Sequence, residues 1–422
     1  MFRKLCLLFL FVTAPLAFAQ LPLAGELRLD DVLREVLSAN PALARSSTLV
    51  AAQRAHVAQV GVLPDPTVTL SWMGDPVPFK VMDNDPSSYR GLSVMQMIPL
   101  GGKRGLQREV ARKDVAVEEV SASAVRRNLL SEARAAYFDY AYYDQALKIT
   151  ERNHQRLSQL AEITESRYRV GKAMQQDVLR ARLEISMLLQ RTAALQQQRL
   201  TAAARLNALM GRAAGAPLAV AAEQPLTALP AIESLKPIAE ANDLMLSREA
   251  RMGDREKAAL ALSRKNGIPD LSVGYMYQQR TGLPDMHGMQ FTVNLPGLHR
   301  ERLQQEIAEG QLRVRASVQG QQVRRLEVSY ELQQASAAAL TAKQMLDLYD
   351  QAILPQAQLA RDSAQASYTV GNVDFLTVLT SYTAIYSYEL DYHRQRADYE
   401  IAIARIYGLT GDLDAPTAPE AH

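Results

Sequence analysis

The 422-residue chain has one cysteine, Cys6, which falls inside an amino-terminal segment that the sequence predicts to be removed. The mature chain then has no thiol, which excludes disulfides and any cysteine-based redox or metal site. Long apolar runs are also missing, because no stretch after residue 20 reaches the roughly 18 residues that a spanning helix needs. If the protein enters a membrane, it must do so with β-strands.

Charge of one sign is scarce as well. The formal net charge is +2, and loss of Arg3 and Lys4 with the amino-terminal segment takes the 47 basic residues to 45, the number of acidic ones. This balance argues against an electrostatic nucleic-acid binder, which needs a basic excess. Aromatic residues make up only 6%, while Ala, Leu, Gln, Arg and Glu abound, a composition that favours long helices.

Residues 1–19 have the three parts of a secretory signal peptide. Arg3 and Lys4 form the charged start, residues 5–12 a short apolar core, and Ala17-Phe18-Ala19 a small-x-small cleavage site. The apolar core is too short for a membrane anchor, which is the alternative reading. We therefore expect an exported protein.

The sequence contains an internal repeat with a shift of 200 positions. Residues 168–211 and 368–411 share 11 identities in 44 aligned positions without a gap. Such self-similarity indicates a duplicated supersecondary unit. We predict a first structural repeat at 20–215, a linker at 216–232, a second repeat at 233–412 and a flexible tail at 413–422.

Each repeat contains two short segments that alternate apolar and polar residues, the pattern of strands with one apolar face. In the first segment, Val68, Leu70 and Trp72 alternate with hydroxyl residues. The pattern predicts strands at 65–73, 89–98, 271–280 and 288–295, joined as β-hairpins over 65–99 and 270–296.

Long helical stretches follow each hairpin. Residues 103–168 contain no proline and would span about 100 Å as a helix. Residues 300–367 are similar, with an interruption at Pro355. With return helices at 173–210 and 373–410, these stretches give long helix pairs over 103–211 and 299–411. Helices over 28–61, with Pro41 starting the second, open the first repeat, and a helix opens the second repeat.

The helices alone would favour a soluble periplasmic coiled-coil scaffold, but the strands argue against it. Strands of nine or ten residues with one apolar face suit a tilted membrane strand with lipid on one side and water on the other. Four strands cannot close a barrel, and open edges are not tolerated in lipid. Several copies must therefore share a barrel, with eight, twelve or sixteen strands in a dimer, trimer or tetramer.

Four sequence motifs occur in a fixed order along the chain. They are Leu27–Leu43 (LRLDDVLREVLSANPAL), Leu63-Pro64-Asp65-Pro66, Tyr168-x-Val170-Gly171 with Asp177, and Tyr368-x-Val370-Gly371. In this order and in duplicate, the chain resembles the TolC-type outer-membrane efflux proteins over nearly its whole mature length. The resemblance implies an α+β membrane protein that forms a homotrimer. Three copies would share a twelve-strand β-barrel in the outer membrane, above a periplasmic α-barrel of long coiled-coil helices.

The segment from Ser93 to Lys103 (SVMQMIPLGGK) resembles the heavy-metal branch of that family, the ducts of CzcC and CusC type. Ile98 and Gly101 depart from the aromatic residue and the second proline that the branch often has. The resemblance implies a passive exit duct of a tripartite exporter, for copper and silver or for zinc, cobalt and cadmium. Its partners would be a periplasmic membrane-fusion adaptor and an inner-membrane RND-type pump. The alternative within the family is a duct for drugs or other organic solutes.

The Val-Gly turns match the family's periplasmic helical tips, and the resemblance assigns two roles there. The adaptor-docking tips would be formed by Val170, Gly171, Lys172, Val370, Gly371 and Asn372. The constriction would use Asp177 and Tyr368, with a hydrogen bond between neighbouring helices that holds the tip shut. Position 377 is Thr rather than Asp, so Asp374 is the candidate carboxylate of the second tip. A ring of carboxylates selects cations.

Candidate metal ligands are weak in this sequence. Thioethers bind soft Cu(I) or Ag(I), and two methionine groups draw attention, although methionine more often fills space in a core. These candidates are Met95, Met97, Met286, His287 and Met289. The six histidines show no ligand spacing, and no nucleophile elbow, phosphate loop or zinc motif occurs. We therefore expect neither an enzyme nor a cofactor.

Overall fold

The computed structural model describes residues 25–74, 79–296 and 300–411. In these ranges the chain forms nine α-helices and one four-stranded antiparallel sheet. The helices are α1 Leu29–Ala39, α2 Pro41–Val60, α3 Lys103–Arg169, α4 Gln175–Leu209, α5 Ile232–Asn242, α6 Leu244–Lys265, α7 Arg300–Leu348, α8 Leu354–Val370 and α9 Phe375–Thr410. The strands are β1 Thr67–Met73, β2 Tyr89–Ile98, β3 Asp270–Gln279 and β4 Met286–Asn294. The signal peptide expected at 1–19 and the tail expected at 413–422 lie outside the described residues.

The duplication is visible in the order of elements, because α1 to α4 with β1 and β2 are repeated by α5 to α9 with β3 and β4. Each repeat opens with two helices separated by one extended residue, Asn40 or Asp243. Asn40 accepts a hydrogen bond from the backbone N–H of Ala42 at 2.8 Å, and Asp243 accepts one from Leu246 at 2.6 Å. The prediction of one helix at the start of the second repeat was therefore wrong, because α5 and α6 are two helices.

The sheet has the strand order β1-β2-β3-β4, so the hairpins of the two repeats pair through β2 and β3. The register aligns Leu70, Leu92, Tyr277 and His287 across the four strands. Because side chains alternate along strands, this register sets one apolar face against one polar face. On the apolar face the amide of Gln96 donates to the carbonyl oxygen of Pro64 at 2.8 Å, which satisfies this exception to the pattern.

The longest element, α3, has 67 residues and is therefore about 100 Å long. In the second repeat α7 and α8 continue one another through a π-helical turn, Tyr349–Ile353. Pro355 is the second residue after this turn. Proline lacks an N–H and clashes with the carbonyl four residues earlier, and a wider turn relieves both problems. Among the described residues no helix combines the length and the apolar character needed to cross a membrane.

The segment between the repeats packs against the helices. Leu27 and Ala221 form a parallel bridge, and the buried hydroxyl of Tyr137 donates to the carbonyl oxygens of Leu27 and Ala222 at 3.0 and 2.9 Å. Asp144 accepts a hydrogen bond from the N–H of Ala221 at 3.0 Å and also binds Arg199 of α4. The buried core here combines α1, α3 and α4, and its counterpart combines α5, α7 and α9.

Candidate functional site

The two helical tips are built by the same turn, 200 residues apart. Gly171 and Gly371 have φ of 73° and 85°, in the left-handed region that glycine adopts without strain. In the first tip the N–H of Gly171 donates to Tyr168 at 3.0 Å, and that of Lys172 donates to Arg167 at 2.8 Å. The second tip repeats both bonds at 3.0 and 2.9 Å. This is the Schellman motif, which ends a helix and reverses the chain sharply.

A carboxylate caps each return helix, but at a different position. In the first tip Asp177 lies at the third position of α4 and accepts a hydrogen bond from the N–H of Met174 at 3.3 Å. In the second tip Asp374 precedes α9 and accepts bonds from the hydroxyl and the N–H of Thr377, at 2.5 and 3.0 Å. The second tip therefore keeps a capping carboxylate, Asp374, although position 377 is Thr where the first tip has Asp177. The bonds from the Thr377 side chain and backbone lower the pKa of Asp374 below its usual value.

Tyr368 does not bond to Asp177 within the chain. Its side chain is 4% exposed, its hydroxyl donates to the Thr164 hydroxyl at 3.4 Å, and its ring packs edge-on against Phe375. Asp177 is bound instead to the backbone of Met174. No hydrogen bond joins these two side chains within the described chain, and the bond between neighbouring helices that would hold the tip shut stays a prediction. Tyr368 belongs to a small core that joins α3, α4, α8 and α9 near the tips.

Arg167 is the tip residue that the sequence pattern did not reveal. It lies in the last turn of α3 and donates to the carbonyl oxygens of Tyr368 and Thr369 at 2.5 and 3.0 Å. Its guanidinium carbon lies 4.5 Å from the centre of the Tyr368 ring, a cation–π contact. Arg167 thus caps the end of α8 and ties the first tip to the second. The corresponding residue of the second repeat, Ser367, offers no such group, and this asymmetry was the available sequence signal.

The ends of both turns expose apolar side chains. Val170 is 66% exposed, Val370 is 72% exposed, and Met174 beside the first turn is 70% exposed. Gly171, Lys172, Gly371 and Asn372 are exposed as well. All six residues expected to dock an adaptor therefore lie on the surface of the described chain, at the two turns.

The sheet separates the candidate metal ligands into two groups. His287 lies opposite Tyr277, and Met289 lies opposite Tyr275, so both belong to the apolar face. Met286 lies opposite Gln278 on the polar face, together with Met95 and Met97. The expected group of Met286, His287 and Met289 is therefore split by the alternation of β4. Nδ1 of His287 instead contacts the Tyr275 hydroxyl at 2.6 Å.

Comparisons with known proteins agree with this architecture. A family model described as outer membrane efflux protein matches residues 32–212. Over 381 residues the chain is 23% identical to the cobalt-zinc-cadmium resistance protein CzcC of Cupriavidus metallidurans, covering 87% of this chain and 86% of that protein. The solved structure of CusC matches with a TM-score of 0.77 at 17% identity, over 90% of this chain and 91% of CusC. VceC of Vibrio cholerae matches with a TM-score of 0.74 at 15% identity, over 91% of this chain and 96% of VceC.

The matched residues 32–212 hold the first copy of the unit, and the structural likenesses extend over both copies. Within 25–74, 79–296 and 300–411, no group of three His, Cys, Asp or Glu residues could hold a metal ion. The soluble periplasmic scaffold, which the helices alone would allow, does not fit these matches. Residues 32–212 match the outer membrane efflux protein family, and over both copies of the unit the chain has the fold of solved outer-membrane channels.

Proposed function

We propose that this protein is an outer membrane efflux channel, the passive exit duct of a tripartite exporter for heavy-metal cations. The similarity to a cobalt-zinc-cadmium resistance protein over 87% of the chain carries the proposal. The segment Ser93–Lys103 supports the same branch. Transport energy would come from an inner-membrane RND-type pump, because the duct only has to be wide, wet and gated.

The proposed assembly is a homotrimer. In the described chain β1 and β4 each pair with one neighbour only, so the sheet has two open edges. Open edges are not tolerated in lipid, and pairing of β4 in one copy with β1 in the next removes them. The family resemblance favours three copies, which would give a twelve-strand barrel with outer-membrane lipid around it. The helices of three copies would then line a periplasmic tunnel about 100 Å long.

The tips are the proposed gate and docking surface. Asp177, Tyr368 and Asp374 lie beside the two turns that end the helix pairs, and Arg167 ties the two tips of one chain. A periplasmic membrane-fusion adaptor would bind the exposed residues around Gly171 and Gly371. Adaptor contacts made only in the open state would shift the population toward that state.

The test is survival of a clean deletion strain on copper, silver, zinc, cobalt, cadmium and several hydrophobic antibiotics. We expect the strain to become sensitive to metals alone, and a plasmid copy of the gene to restore tolerance. Sensitivity to antibiotics or dyes alone would replace the metal assignment by organic solutes and leave the duct architecture intact. A strain with unchanged tolerance to every compound would contradict an exporting role under these conditions.

A further inference from the structure

Methionine is concentrated on the polar face of the sheet. The strands contain six methionines, and the register places five of them on that face. These five are Met73, Met95, Met97, Met276 and Met286. The rest of the face consists of hydroxyl, amide and glycine residues with Tyr89 and one acid, Asp270, which is paired with Lys103 at 2.8 Å. A face whose single acid is paired with a lysine thus presents a group of thioethers.

Packing does not explain the exposed methionines of this group. Met97 is 41% exposed and Met286 is 47% exposed, so neither fills a core of the described chain, and Met95 and Met276 are only half-buried. Methionine is useful as a gap filler only where there is a gap to fill. On the face that would line the water-filled duct, serine and threonine meet the need for polarity, as they do along β1. Neither packing nor the need for polarity accounts for the exposed thioethers, which indicates a role in binding.

Glycines lie opposite the two central methionines. Met95 lies directly opposite Gly274, and Met276 directly opposite Gly288. A Cβ atom at Gly274 would lie 3.6 Å from Cβ of Met95, and one at Gly288 would lie 3.3 Å from Cε of Met276. A side chain at Gly288 would press on the methyl group of Met276, whereas one at Gly274 would make ordinary contact with Met95. The two glycines thus place no side chain opposite either methionine.

The same register brings the thioethers within reach of one another. Met95 and Met276 are diagonal neighbours on adjacent strands, a relation that separates side chains by about 7–8 Å at their bases. Met97 follows on the same face of β2. Gln278 donates to Sδ of Met276 at 3.4 Å, so this sulfur already accepts a polar partner. Flexible side chains at such spacing can place the sulfur of Met95 and that of Met97, or the sulfurs of Met95 and Met276, around one ion. Met97 and Met276 lie four positions apart in the register and do not meet directly.

We propose that Met95, paired with Met97 on one side or with Met276 on the other, forms a weak two-sulfur binding site for soft monovalent metal ions on the wall of the duct. Neutral thioethers select Cu(I)-like and Ag(I)-like ions and have little affinity for zinc or cobalt ions. The three ligands carry no charge, so binding is weak and a bound ion dissociates fast. This inference rests on the proposed function, because the polar face must line the path of the cargo.

The probe is Ag(I), and the protein is the full-length, tag-free channel purified in detergent. Equilibrium dialysis in nitrate buffer measures bound silver for the wild type and for the Met95→Leu/Met97→Leu/Met276→Leu variant. Leucine conserves volume and apolarity, so the fold should be retained. The matched control is Met187→Leu/Met245→Leu/Met345→Leu, which removes three partly exposed methionines from helices. Methyl-labelled methionine NMR of the same samples reports which thioethers respond to silver.

We expect the strand variant to lose at least one bound silver ion per chain relative to the wild type, while the helix variant keeps it. The methyl resonances of the three strand methionines should shift with Ag(I), and that of Met289 should not. Equal silver binding by the strand variant and the helix variant would overturn the site. Silver binding is measured on the purified protein and does not depend on any pump. A failed binding test therefore argues against the site, and a deletion strain without metal sensitivity argues against the proposed function.

Discussion

At the scale of single residues, Arg167 is the strongest link between the two tips. Its cation–π contact and its two hydrogen bonds to the end of α8 are all lost in Arg167→Ala. We expect this variant to raise the single-channel conductance of the purified protein in a planar bilayer. Leakage of large antibiotics into cells should rise as well. Arg167→Lys should be intermediate, because an ammonium keeps the charge but not the planar fork.

The control for this prediction is Arg169→Ala, which removes an exposed arginine from the same turn of α3. It should leave conductance and leakage near those of the wild type. Equal effects of the two substitutions would mean that basic charge at the tip matters and that the contacts of Arg167 do not.

Asp177 combines a structural and an electrostatic role that two substitutions can separate. Asp177→Ala removes the cap of the Met174 N–H and the charge, whereas Asp177→Asn keeps an acceptor and removes only the charge. We expect Ala to raise conductance and antibiotic leakage. Both variants should lower cation selectivity, read as the reversal potential in a salt gradient. Unchanged reversal potentials and leakage in both variants would remove Asp177 from the gate.

The environments of residues at the tips show where sequence reasoning stops. Tyr168 and Tyr368 are equivalent in the repeat, yet the first is 43% exposed and the second is 4% exposed. The difference arises because the end of α8 packs against α3, which is 200 positions earlier in the chain. A motif defines the turn, because glycine and its neighbours act locally. The partners of a tyrosine depend on which helix lies beside it, and no local pattern contains that information.

At the scale of elements, the ends of the return helices offer a matched pair of glycines. Gly211 and Gly411 have φ of 72° and 92°, so alanine is strained at both, by about 1 kcal/mol. At Gly211 a Cβ atom would also lie 2.7 Å from the backbone oxygen of Ala39, whereas at Gly411 it would meet the flexible end of Arg127 at 3.3 Å. We expect Gly211→Ala to cost about 1–3 kcal/mol more than Gly411→Ala.

Thermal unfolding of the two variants, followed by circular dichroism under one set of conditions, checks this difference. The melting temperature of Gly211→Ala should be lower than that of Gly411→Ala by several degrees. Equal melting temperatures would mean that α1 shifts away from the end of α4 at little cost.

The elements themselves were largely predictable. Alternation located all four strands, and the absence of proline located α3, because both signals are periodic and local. The break at Asn40 was found because Pro41 follows it, and the similar break at Asp243 was missed because no proline marks it. Pro355 suggested an interrupted helix, but the π-helical turn before it keeps the chain helical. Local signals thus fix where an element lies better than how its ends are joined.

At the scale of the whole molecule, the sheet of a single chain has two unpaired edges and an exposed apolar face. The four strands expose apolar side chains on one face, including Val68, Leu70 and Phe291, which are all at least 60% exposed. Lipid would cover this face, but lipid cannot satisfy the backbone groups at the free edges of β1 and β4. In the proposed assembly a second copy would satisfy each edge, and the barrel would close only when the curvature of the sheet brings the last copy back to the first.

Native mass spectrometry of the detergent-purified protein measures how many copies achieve that closure. We expect one dominant species with three times the mass of the mature chain, because three four-stranded sheets give the twelve-strand barrel that the family resemblance implies. Two or four copies would give eight or sixteen strands, which the open edges allow equally, and would overturn the trimer while keeping the shared barrel. The same species in two unrelated detergents would exclude assembly by the micelle. A monomer in both would mean that β1 and β4 do not pair between copies.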